Sequence, residues 1–135
     1  MRTPELPFFV YGTLRPGAYN HDRFLLGRTA AEEEAELPGA VLHDGPGYPY
    51  VVPGAGRVLG ALMTAAPGAY GELLTVLDRV ELPAGYRRTA RDVLRTRDGA
   101  LVRAWVYEAA PGAALGARIG SGDWFNRVPG APRTP

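Results

Sequence analysis

Glycine and proline interrupt this chain throughout, with 18 Gly and 13 Pro in 135 residues. Glycine loosens the backbone and proline removes a hydrogen-bond donor. The sequence therefore predicts short elements joined by turns. "PFFVYG", apolar throughout, reads as a first strand buried on both faces. After the turn "RPGAYNH", the segment "DRFLLG" fits a short helix with Asp22 as its N-cap. "AAEEEAEL" has helical propensity but is short and stops at Pro38, so packing has to decide its state. "GAVLHD" and "RVLGALMTA" have strand character and flank "GPGYPYVVPGAG", which reads as a loop. "AYGELLTVLDRVE", following Pro67 and Gly68, is the best helix in the chain. "GYRRTARDVLRTR" and "ALVRAWVYEA" sit either side of Asp98-Gly99 and predict a hairpin. One domain over residues 1–127 is expected, with a flexible tail over 128–135.

Charge and residue usage narrow the function classes. Net charge is +1, and all 15 basic residues are Arg, scattered among acidic ones. No basic stripe of the kind that binds nucleic acid is present. There is no Cys, which removes disulfides, thiolate metal sites and cysteine nucleophiles together. A single Arg and a short apolar run at the N-terminus give neither a signal peptide nor a membrane span, so a cytoplasmic protein is expected. His21 and His43 are the only histidines and make no metal-ligand spacing; His21 beside Asn20 reads as a loop residue. His43-Asp44 has no G-x-S-x-G partner, and "GSGDW" lacks the lysine of a P-loop. Asp123 reads as a turn cap, Glu32 to Glu36 as a solvated face, and Trp105 and Trp124 as core or barrel closure.

The long helix carries one acidic residue in an odd place. Leu73, Val76, Leu77 and Val80 form its apolar stripe at i, i+3, i+4, i+7 spacing. At about 100° per residue, Glu81 falls between Leu77 and Leu74, inside that stripe. It also lies in the last turn, at the negative end of the helix dipole. Both effects disfavour the charged form and predict a raised pKa, as a general base working near neutral pH requires. The structural alternative is an ordinary ion pair with Arg87 or Arg88.

Several blocks occur in a telling order: "YGTLRPG" from Tyr11, "GYP" from Gly47, "LDRVE" from Leu77, "YRR" from Tyr86, "AWVYE" from Ala104 and "SGDW" from Ser121. Together they resemble the gamma-glutamylcyclotransferase-like superfamily, and are nearest to the small bacterial proteins related to gamma-glutamylamine cyclotransferase. The resemblance runs from Phe8 to about Trp124. It implies an α+β fold, a small mixed β-barrel with short helices outside and a cavity beside the first strand. It implies further that Tyr11, Gly12, Thr13 and Leu14 cradle the γ-glutamyl group through backbone amides, with Glu81 as the proton carrier. Gly12 would then allow close approach of the ligand to the backbone. Tyr86 and Tyr107 are weaker candidates for hydroxyls lining the cavity. The implied reaction closes 5-oxoproline from a γ-glutamyl amine or amino acid and needs no cofactor and no metal. Two departures stand out. "ELPAGY" replaces the Gly that many relatives carry directly after the acidic residue, and Ala61 stands where they often carry an acid.

A non-catalytic relative that keeps the cavity as a small-molecule binding module is the alternative, and a scaffold with an ion-paired Glu81 is a third. The intact Glu81 and "YGTL" loop favour the enzyme. The expected partner is a small γ-glutamyl compound, with no nucleic acid and no membrane; oligomeric state leaves no mark in these residues.

Overall fold

The computed structural model describes residues 5–18 and 20–127; the expected tail lies outside them. Five strands close into a barrel: β1 (Phe8–Val10), β2 (Thr29–His43), β3 (Tyr50–Ala65), β4 (Tyr86–Arg95) and β5 (Leu101–Ala109). Their order around the barrel is β1-β3-β2-β4-β5. Every pair is antiparallel except β1 with β5, which makes the barrel mixed. Helices α1 (His21–Phe24) and α2 (Tyr70–Glu81) and two 3₁₀ turns, Leu82–Ala84 and Trp124–Asn126, accompany it. This is the fold class that the resemblance implies.

β1 is the closing strand. It lies between β3 and β5, with Phe8 opposite Met63 on one side and Trp105 on the other. All three of its residues are buried. The Phe8 ring sits 5.8 Å from Tyr70 of α2, while Phe9 stacks on Tyr11 at 6.2 Å. Burying each phenylalanine stabilises the fold by roughly 2–3 kcal/mol. An unbroken apolar run suits a strand with no solvent face.

β2 and β3 depart most from the sequence expectations. "AAEEEAEL" is strand, continuous with "GAVLHD" in one 15-residue element. Its apolar positions alternate, so Ala35 and Leu37 are buried while Glu34 is exposed, and pairing with β3 satisfies its backbone. That ladder outweighs the few tenths of a kcal/mol per residue of helix propensity. Pro38 is accommodated because the register shifts between Pro38 and Ala40, a bulge that tolerates a missing donor. Most of the expected loop is strand too: β3 begins at Tyr50, and only 44–49 connects the two strands. The acidic run is not simply solvated either. Glu33 pairs with Arg97 at 2.6 Å, Glu36 with Arg57 at 2.5 Å, and Glu32 meets His21 Nε2 at 2.7 Å.

α1 begins two residues earlier than expected. His21 is its first residue and not a loop residue, Asn20 is the N-cap position but its side chain makes no capping bond, and Asp22 lies inside the first turn. α2 and the β4–β5 hairpin match their local signals. Leu73 and Leu77 are fully buried on the helix, Val76 and Val80 half-buried. The hairpin pairs Tyr86 with Ala109 through to Leu94 with Leu101. Asp98 stabilises its turn by accepting from the Ala100 N–H at 3.1 Å. Trp124 is buried and Trp105 half-buried, where Trp105 donates from Nε1 to the Tyr70 hydroxyl at 2.8 Å.

Candidate active site

Where β1 ends, the chain turns away from the barrel and leaves a cavity of about 180 Å³. Its wall brings together Tyr11, Gly12, Thr13, Leu14, Glu81, Tyr86 and Tyr107, all seven residues named from the sequence. They come from the loop after β1, the last turn of α2 and the facing ends of β4 and β5. Asn20, Tyr48, Pro49 and Ala84 also line it, residues to which no local pattern assigns a role. The block "GYP" was the available signal for Tyr48 and Pro49.

The loop is pinned at three points. Tyr11 donates its hydroxyl to the Tyr107 carbonyl at 2.5 Å. Asn20 donates from Nδ2 to Thr13 Oγ1 and from its backbone to the Thr13 carbonyl, each at 3.0 Å. Arg15 pairs with Asp123 at 2.6 Å and lies over the Phe125 ring, while Asp123 also accepts from the Phe125 N–H. Asp123 thus caps a turn, as expected, and anchors the loop besides. Among the described residues no acceptor meets the backbone N–H groups of Gly12, Thr13 or Leu14. Unpaired donors in succession are suited to hold an anion.

Gly12 has a reason within the protein itself, besides the ligand approach that the resemblance implies. A Cβ there would stand 2.8 Å from both Cδ and Cγ of Pro49. The close approach of the Pro49 ring therefore already demands glycine at this position.

Glu81 closes α2 and has intermediate exposure. Neither Arg87 nor Arg88 reaches it. Arg88 donates from Nε to Asp78 Oδ1 at 2.9 Å, and Arg87 approaches Glu108 at 3.5 Å. Among the described residues the Glu81 carboxyl has no ion pair and no hydrogen bond. Burial pushes its pKa up from 4.5 to about 7. After it, a 3₁₀ turn opens at Leu82 with Pro83 next, and Gly85 adopts φ 96°, so the chain reverses into β4. The "ELPAGY" departure therefore still delivers Tyr86 to the cavity. Ala61, the other departure, is a buried wall residue on β3 away from the cavity lining.

The tyrosines are committed to protein partners. Tyr107 donates its hydroxyl to Asp78 Oδ1 at 2.6 Å, and Tyr86 donates to the Pro49 carbonyl. Tyr50, just behind, donates to the Ala84 carbonyl at 2.6 Å. Burial first, and then neighbouring charge that includes Glu81, pushes Tyr11, Tyr86 and Tyr107 well above the ordinary phenol range.

A second cavity of about 380 Å³ lies between β2 and β4 and is bordered by Arg91, Arg103 and Glu108. Its buried carboxylate is saturated: Arg91 reaches both Glu108 oxygens at 2.8 Å. A carboxylate so held is structural. Among the described residues no cluster of three or more His, Cys, Asp or Glu could hold a metal, and no helix is long and apolar enough to cross a membrane.

The described residues thus form a closed mixed barrel with a small cavity that holds a carboxyl without an ion pair and a row of amides without acceptors. The chain matches the family described as gamma-glutamyl cyclotransferase, AIG2-like, over residues 8–126, and it belongs to that family. A Vibrio cholerae protein named "Putative gamma-glutamylcyclotransferase" is 33% identical over 120 residues, covering 89% of this chain and 96% of that protein. An uncharacterized protein from Pyrococcus horikoshii has a similar structure, with a TM-score of 0.68 and 27% identity over 88% of this chain and 89% of that one. An AIG2-like protein from Mus musculus superposes with a TM-score of 0.65 at 28% identity, over 80% of this chain and 79% of that one.

Proposed function

We propose that this protein cyclises the γ-glutamyl group of a γ-glutamyl amine or amino acid to 5-oxoproline and releases the amine. Ionised Glu81 takes a proton from the substrate's α-ammonium, and the freed nitrogen attacks the γ-carbonyl carbon. A new C–N bond closes the five-membered ring as the old amide C–N bond breaks. Two protons leave the attacking nitrogen and both end on the departing nitrogen, which leaves as an ammonium; Glu81 relays them and finishes ionised. No water is consumed. General acid–base catalysis of this kind is worth about 10²- to 10⁴-fold, and holding the two ends of one substrate together supplies the proximity advantage. The Gly12, Thr13 and Leu14 amides hold the substrate carboxylate or the developing oxyanion.

One observation carries this reading: a carboxyl with no partner among the described residues, its pKa raised to about 7 by burial, shares a small cavity with a row of amides that meet no acceptor there. Family membership supports it. The test is mass-spectrometric detection of 5-oxoproline after wild type and Glu81→Gln are incubated with a panel of γ-glutamyl amides. Release by wild type alone is expected. Release by both proteins would remove Glu81 from the mechanism.

A further inference from the structure

A phenol has one proton to donate and lone pairs with which to accept. Three of the four cavity-lining tyrosines spend that proton on the protein: Tyr11 on the Tyr107 carbonyl, Tyr86 on the Pro49 carbonyl and Tyr107 on Asp78. Asp78 is itself fixed, because the same Oδ1 accepts from Arg88 Nε. The Tyr11 oxygen also meets the Val51 N–H, so the phenols with acceptor capacity to offer a ligand are Tyr86 and Tyr107. Glu81, when ionised, is likewise an acceptor only. The Gly12–Leu14 amides can only donate. Around Glu81 the cavity is therefore polarised, with donors supplied by the loop amides and acceptors by Tyr86, Tyr107 and Glu81.

Resting on the reading of this cavity as the γ-glutamyl site, the geometry points to Tyr107, oriented by the Asp78–Arg88 pair, as the residue that selects substrates by their free α-ammonium group. A protonated amine donates to Tyr107 Oη without breaking the Asp78 bond. A ligand with no donor at that position leaves the phenol oxygen unsatisfied in a buried place, a penalty that makes such sites discriminating. Asp78 acts through Tyr107 and is a positioning residue. Removing it frees the phenol proton to turn towards the ligand, which converts an acceptor into a competing donor.

The experiment uses Glu81→Gln as the background, so that the ligand is not consumed and the carboxylate contributes no attraction for the amine. Calorimetry compares γ-glutamyl methylamide with the same molecule lacking its α-amine, N-methylglutaramic acid. On the order of tenfold tighter binding of the aminated ligand is expected, the size of one hydrogen bond to a charged group. Adding Tyr107→Phe, or separately Asp78→Ala, reduces that ratio to below about threefold, with affinity for the des-amino ligand little changed. A purely structural role would weaken both ligands together and leave the ratio intact. An unchanged ratio in both variants, or a background protein that fails to distinguish or to bind the two ligands, overturns the assignment. Failure of the cyclisation reading is separate, because it appears as no 5-oxoproline from wild type while the amine preference persists.

Discussion

Glu81 and Gly12 show how a single residue's role depends on what it touches. Burial raises the Glu81 carboxyl to about 7, and no cation among the described residues offsets that. As the base it must be ionised, so kcat/KM should rise with pH and level off above about 7. A limb near the ordinary 4.5 would mean that the carboxyl is not desolvated in the working enzyme. Gly12 is held by shape. Gly12→Ala forces a Cβ into the Pro49 ring at 2.8 Å, so the loop or Pro49 must move. A loss of about 1–3 kcal/mol is expected, read by denaturant melts, together with a raised KM because the neighbouring amides are displaced. Unchanged stability and KM would show that Pro49 yields freely.

Elements here follow two rules. α2 and the β4–β5 hairpin obey their own local patterns, while β2 and β3 obey each other. The link between α2 and β4 is a compact device: the helix ends at Glu81, a 3₁₀ turn follows, and Gly85 at φ 96° reverses the chain. A Cβ on Gly85 would stand 2.7 Å from the Tyr50 hydroxyl, whereas one on Gly99, at φ 71° in the hairpin turn, would meet nothing within 4 Å. Both sites strain any side chain, by about 1–2 kcal/mol. Gly85→Ala should therefore cost at least about 1 kcal/mol more than Gly99→Ala, from the added clash. Paired urea titrations decide this, and equal losses would show that Tyr50 moves aside.

For the whole molecule, two glutamates oppose each other in pH dependence. Glu81 has a raised folded pKa, so its contribution to stability is complete below its unfolded value near 4.5 and is lost as pH rises through about 7. Glu108 behaves oppositely. Burial alone would raise it, but the bonds from Arg91 and the charge of Arg87 prevail and lower it. Its contribution is present above the unfolded value and is lost as pH falls through the folded one. Glu81→Gln should therefore stabilise the barrel at pH 8, by up to the order of 3 kcal/mol, and have little effect at pH 4. Glu108→Gln should destabilise it at pH 7 by about 2 kcal/mol. Chemical denaturation across pH tests both, and the absence of opposite trends would show that these carboxyls do not sit in the environments described.

What the sequence determined by itself is local. The apolar run of β1, the 3.6-residue stripe of α2 and the Asp98-Gly99 hairpin could be read because each pattern lies within about a dozen residues. Glu81 stood out for the same reason, as an acid inside an apolar stripe. The "YGTL" loop and the two other tyrosines came from the order of motif blocks, and the cavity brings all of them together. Tertiary structure decided the rest. "AAEEEAEL" is a strand because β3 supplies a ladder to it. Gly12 is glycine because Pro49 arrives from 37 residues away, and Glu81 stays unpaired because Arg88 is taken by Asp78 and Arg87 approaches Glu108. The bond between Tyr11 and Tyr107 joins residues 96 apart in the chain. Such pairings depend on barrel closure, and no window of neighbouring residues contains both partners.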